Sequence, residues 1–120
     1  MAEDPEQPQE PRGVHNRRVV DLITEDPATR EVVLVMLEER RWDSEPEQLR
    51  QLEAKFNAYL EYVLGGHLAQ QYPDYAARPV RFQLECVENY PAKDRAFFTA
   101  MSNFAAGEGI RLVVTVRAAR

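Results

Sequence analysis

Residues 32–37 read Val-Val-Leu-Val-Met-Leu. Successive side chains of a strand point to opposite faces, so a half-buried strand alternates apolar with polar residues. This stretch is apolar at both parities. Whatever the chain folds into must cover both faces of one strand, and a two-layer domain ordinarily covers only one.

The run sits in the second arm of a hairpin. Val19 to Ile23 is β-rich, the cluster Glu25-Asp26-Pro27-Ala28-Thr29-Arg30 is turn-forming, and Val32 to Leu37 is β-rich again. A loop over residues 26–29 sets Glu25 opposite Arg30, Asp21 opposite Leu34 and Arg17 opposite Glu38. In that register Val20, Leu22, Val33, Val35 and Leu37 share one face. Val19, Asp21, Ile23, Val32, Leu34 and Met36 share the other. The first set holds no acid and is therefore expected under the helices. The second is expected to face outward as an apolar patch of the size that marks interfaces. A competing expectation is that residues 70–79, QQYPDYAARP, fold over that patch.

Downstream, Ser44 and Glu47 predict a capping box opening a long helix. Its apolar stripe is Leu49, Leu52, Phe56, Tyr59, Leu60 and Val63, and Gly65-Gly66 ends it. A short helical turn and a loop follow, stopped by Pro73. Val80, Phe82, Leu84 and Cys86 alternate with Arg81, Gln83 and Glu85, a half-buried strand. Pro91 opens a second helix with Phe97, Met101, Phe104 and Ala105 inward, and Ile110, Leu112, Val114 and Val116 predict the last strand's inner side. The expected fold is α+β, a two-layer sandwich ordered ββαβαβ. A four-stranded mixed sheet would run 1-2-3-4, its first strand antiparallel, with two helices on one face.

The chain has 120 residues, enough for one core. Residues 1–16 combine Pro5, Pro8 and Pro11 with Glu and Gln, and predict a disordered acidic tail before a domain over residues 17–120. That tail holds −3 of the −5 net charge, leaving −2 for the body. A nearly neutral body has no broad cationic field for nucleic acid. The tail has no apolar segment of a secretory signal, and no run approaches a membrane span. A cytoplasmic location is expected, with no membrane partner.

Candidate chemistry is sparse. His15 and His67 have no neighbours at ligand spacing, so neither a metal nor another cofactor is expected. Cys86, the single cysteine, lies among core positions and reads as a buried hydrophobe. No nucleotide loop or nucleophile elbow is present, so no catalytic residue is assigned. The hairpin should bring Arg17 and Arg18 beside Arg40 and Arg41, an arginine rim able to grip an anion, with Glu38, Glu39 and Asp43 to neutralise it. Trp42 beside the rim is a lid over the core or an interface anchor.

The stretch "VVDLITEDPATREVVLVMLEERRWD", the helix with "FNAYLEYVLGG" and the later "LAQQYPDY" resemble a small bacterial family of uncharacterised domains. The matching positions are Val20, Asp21, Asp26, Trp42, Asn57, Ala58, Tyr59, Leu60, Gly66, Tyr72 and Pro73. The resemblance covers roughly residues 17–117. It implies the fold class and boundaries and brings no catalytic residue.

Two functions are expected to compete. The first is a non-catalytic interaction module binding itself or another protein, as a homodimer through Val19, Ile23, Val32, Leu34 and Met36 with Trp42 nearby. The alternative is a small-substrate enzyme with a pocket near Trp42, Tyr59, His67 and Tyr72.

Overall fold

The computed structural model describes residues 11–43 and 45–117. Strands β1 (Leu22–Asp26) and β2 (Glu31–Glu38) form the hairpin. Helix α1 (Pro46–Leu64), a short α2 (His67–Gln71) and a 3-10 turn lead to β3 (Val80–Cys86). A second 3-10 turn precedes α3 (Arg95–Gly107), and β4 (Ile110–Val116) completes the order. The sheet runs β1-β2-β3-β4, with β1 antiparallel to β2 and the other pairs parallel. This is the expected α+β mixed sheet, with α2 as a third, short helix. Among the described residues no helix is long and apolar enough to cross a membrane.

The hairpin register lies two residues from the expected one. Leu22 pairs Val35 and Asp26 pairs Glu31. Arg30, at φ 67°, closes the turn by donating to the Asp26 carbonyl at 2.7 Å, and the Asp26 carboxylate accepts the Ala28 N–H at 3.0 Å. A shift of two keeps the side-chain parity, so within the paired residues the two face sets survive with their sides exchanged, while Val20, which precedes β1, packs with the helix-side core. Val32, Leu34 and Met36 lie under the helices with Val80, Phe82, Leu84 and Cys86, against Leu52, Phe56, Leu60, Phe98 and Met101. The expectation that Val19, Ile23, Val32, Leu34 and Met36 form an outer patch is thus corrected, Val19 lying in the loop before β1 with its carbonyl on Lys55. It rested on Asp21 marking the wet side. Asp21 precedes β1 and is buried in a polar clamp described below.

Val33, Val35 and Leu37 take the face away from the helices, yet are only 2%, 2% and 4% exposed. Neighbouring strands flank them: Val33 lies between Thr24 and Arg81, and Val35 between Leu22 and Gln83. Arg81 reaches Asp26 at 2.9 Å and Glu31 at 2.7 Å, and Gln83 donates to Glu85 at 2.9 Å. Long flanking side chains can cover apolar neighbours with their aliphatic stems, and the Arg81 side chain is itself only 13% exposed. Residues 70–79 do not cover this face. They pass the hairpin turn, where Arg78 donates to Glu25 at 3.0 Å and to the Arg30 carbonyl at 2.8 Å.

The same face carries an acid-sensitive cluster. Glu31 accepts two bonds from Arg111, at 2.8 and 3.0 Å, and one from Arg81. The Arg111 guanidinium outweighs desolvation, and with Thr29 and Arg81 it lowers the Glu31 carboxyl from the ordinary 4.5 to about 2. A depressed folded-state pKa gives stability that is present above the unfolded value and lost as pH falls through the folded one. Urea midpoints should therefore drop between pH 4.5 and about 2. Glu31→Gln should flatten that limb, and an unchanged acid limb would count against the assignment.

At the start of α1 the N-cap is Glu45, with Pro46 as first helical residue and no side-chain cap. Ser44, the expected cap, lies outside the described residues. Gln48 rather than Glu47 reaches back, accepting the Asp43 N–H at 2.9 Å and donating to the Arg41 carbonyl at 3.2 Å. The α1 stripe is as expected, with Leu52, Phe56, Tyr59 and Leu60 buried, joined by Gln48 and Lys55. The α3 stripe keeps Met101 and Ala105 as expected, but Phe98 rather than Phe97 is its buried phenylalanine and Phe104 leaves it. Phe98, Met101 and Ala105 are buried, and Phe104 is 57% exposed. Adjacent phenylalanines compete for the core, and Phe98 wins it by stacking on Tyr90 at 3.9 Å and meeting Trp42 edge-on at 5.7 Å.

The domain begins earlier than residue 17. Gly13 is buried, Val14 enters the core, and the Val14 N–H donates to the Leu37 carbonyl at 2.8 Å. The disorder expected for residues 1–10 falls outside the described residues.

Candidate functional site

Lys55 stands one helical turn after Leu52 and one before Tyr59, on the inner side of α1. A lysine carried there by the helical period must bring its ammonium to oxygen or lose its charge. Its Nζ lies 2.9 Å from the Gly13 carbonyl, 2.7 Å from that of Asn16, 2.8 Å from that of Val19, and 2.7 Å from Asp21 Oδ1. Both side chains are 0% exposed. Asp21 Oδ1 also accepts the Gly13 N–H at 2.8 Å, and Oδ2 accepts the Leu37 N–H at 2.9 Å. Tyr59 completes the clamp: its hydroxyl accepts the Asp21 N–H at 2.8 Å and donates to the Val35 carbonyl at 2.6 Å.

Burial lowers the Lys55 pKa, with the Asp21 carboxylate opposing it. Burial, reinforced by the Asp21 charge, raises that of Tyr59. Such shifts mark many catalytic sites, but structural ion pairs produce them too. Here every polar partner is internal. The clamp fastens residues 13–21 to α1 and β2 and offers a substrate no reacting atom.

The arginine rim does not assemble. Arg40 makes a bidentate pair with Glu38 at 2.8 and 2.9 Å, and Arg41 pairs with Glu88 at 3.3 Å. Glu38 is thus held by a residue two positions on, not by Arg17 across the hairpin. Arg17 and Arg18 line a trough along α1 with Arg50, Glu53, Asn57 and Glu61. The irregular loop over residues 13–21 replaces the strand start that would have carried them to the rim.

The alternative pocket is dispersed as well. Trp42 donates its indole N–H to the Glu88 carbonyl at 2.9 Å and lids the core. Tyr59 is in the clamp, His67 stacks on Tyr62, and Tyr72 stacks on Tyr75. Cys86 is buried, and that burial pushes its thiol up to about 12, far from a reactive thiolate. Among the described residues no cluster of three or more His, Cys, Asp or Glu is placed to hold a metal.

The surface feature that sequence reasoning missed lies between the helices. Glu53, Phe56, Asn57, Phe97, Ala100, Met101 and Phe104 line a largely apolar cleft of about 240 Å³. Phe104 stands over it, edge-on to Phe56 at 6.4 Å. The cleft and the arginine-bearing trough share Glu53 and Asn57, which form the ridge between them. The missed signal was Phe97-Phe98 side by side, which leaves the helix phase open and with it the fate of Phe104.

No curated protein and no solved structure matches the chain. A family model described as a family of unknown function (DUF6572) matches residues 13–118, and its start coincides with Gly13 of the clamp. The chain belongs to this family of unknown function.

Proposed function

We propose that the domain is a non-catalytic protein-interaction module that takes apolar side chains of a partner helix into the α1/α3 cleft. The observation that carries this reading is Phe104, 57% exposed beside an apolar recess. Two helices side by side on a sheet leave a groove that a third amphipathic helix fills with anchors at i, i+3 or i+4, and i+7. Glu53 and Asn57 supply a polar rim. The outer hairpin face is less suited, since of its apolar residues only Leu22 is substantially exposed, at 51%. Asp21, Lys55 and Tyr59 are turned inward by the clamp, which weakens the enzyme reading.

The test is an NMR titration with amphipathic helical peptides bearing leucine, phenylalanine or tryptophan anchors. Amide shifts should concentrate in residues 53–57 and 97–104. Phe104→Ala should weaken binding by about tenfold or more, the effect of losing an anchor worth over ~1.4 kcal/mol, and leave the fold intact. Absence of shifts across the peptide set, or indifference to Phe104→Ala, refutes the reading.

A further inference from the structure

We infer that the chain forms a homodimer by antiparallel pairing of its β4 edges about a two-fold axis, extending the two sheets into one. The inference goes beyond the cleft reading and rests on a different observation, the contrast between the sheet's two edges.

β1 is short, five residues, and ends in Glu25 and Asp26. β4 has seven residues, Ile-Arg-Leu-Val-Val-Thr-Val, with neither proline nor lysine. Natural edges are normally blunted by shortness, proline, charge or a covering element. The two arginines near β4's ends do not blunt it, because Arg111 is tied to Glu31 at 2.8 Å and Arg117 to Glu85 at 3.6 Å. Along most of its length α3 does not cover the edge with long side chains. Phe97, Ala100 and Phe104 line the α1 cleft. At 100° per residue the opposite flank of α3 carries Arg95 at its first turn and then the short Thr99, Ser102 and Ala106.

The ladder decides which backbone groups are open. The Arg117 N–H donates to the Cys86 carbonyl at 2.8 Å, so residues 113, 115 and 117 address β3 and residues 112, 114 and 116 address the side where, among the described residues, no strand pairs with β4. A two-fold pairing must match these outward residues with one another. Centring it on Val114 would set Arg111 against Arg117 of the second copy, like charges directly opposed. Centring it on Val113 sets Leu112 against Val114, Ile110 against Val116 and Arg111 against Thr115 of the second copy. This register exchanges main-chain bonds at each outward residue and separates the arginines. It also gives Val116, 45% exposed in the single chain, an apolar neighbour. Faces are preserved, so both helical layers lie on one side.

In this register Val113 meets its own copy at a non-hydrogen-bonded position, where Cα atoms approach to about 4.5 Å, within disulfide reach. The native Cys86 is buried and does not interfere. The test is sedimentation of the full chain from micromolar to near-millimolar concentration, with mild oxidation of Val113→Cys and Thr115→Cys variants. The expected result is a concentration-dependent dimer, cross-linked through residue 113 and not through residue 115. It should be lost in a folded Val113→Lys variant and unaffected by Phe104→Ala. A monomer throughout the range overturns the inference. So does a dimer that survives Val113→Lys, or that cross-links at 115 but not at 113. Loss of the dimer with Phe104→Ala would place the contact at the cleft and equally refute the edge.

Discussion

Replacing Lys55 with methionine is expected to cost about 3–5 kcal/mol of folding free energy, the usual loss when one member of a buried ion pair is removed. The size comes from what stays behind. Asp21 remains fully buried without its cation, and the carbonyls of Gly13, Asn16 and Val19 lose a donor. Asp21→Ala should fall in the same range, since it leaves the Lys55 ammonium and the Gly13 and Leu37 N–H groups short of an acceptor. The double variant Asp21→Asn with Lys55→Met removes both charges and keeps an amide oxygen for those N–H groups. It should recover part of the loss, which makes the pair non-additive. Urea unfolding of Lys55→Met, Asp21→Asn and their combination measures this directly. A single-variant loss below about 1 kcal/mol would show that the clamp is no more than a surface pair in its energetics.

Leu34→Glu is the second large effect. Leu34 lies between Ile23 and Phe82 on the helix-covered side of the sheet and is fully buried. An ionised carboxylate has no partner there. The substitution should cost at least about 4 kcal/mol, a large share of the ~5–15 kcal/mol that holds an ordinary domain. Leu22→Glu, on the open side and half exposed, should change stability by no more than about 0.5 kcal/mol. Thermal unfolding followed by circular dichroism separates the two. A stably folded Leu34→Glu protein would mean that this side of the sheet faces solvent after all.

That pair of variants shows where the sequence could be read and where it could not. The hairpin, the long helix, the alternating third strand and the sheet order all follow from period and turn chemistry. Within the paired strands the two face sets also held together, because a two-residue error in register leaves parity unchanged, but Val20 in the loop before β1 joined the helix-side core. Their sides were exchanged for a single reason: an acid inside an apolar stretch was taken to mark water. Lys55 was the contrary sign, a cation between Leu52 and Tyr59 on the buried stripe. Read together, the stranded acid and the stranded base point to each other across 34 residues. The α3 phase had no such sign, since Phe97 and Phe98 differ only in which neighbour stacks on them. With that phase went the cleft and its exposed Phe104. The arginine rim failed because residues 13–21 fold as an irregular loop, a path that no local pattern of side chains specifies.

The way that loop is held bears on how the family can change over time. Lys55 grips it through the oxygens of the main chain, which every amino acid supplies alike. Substitution at the exposed positions 15 and 17 is therefore largely invisible to the clamp, whereas Val14 is fixed by the core and positions 21 and 55 are bound to change together. Gly13 is a further fixed point, at φ 122° with its N–H on Asp21. Tight coupling of two distant sites thus coexists with tolerance at the exposed positions of the loop, which can diversify without disturbing the scaffold.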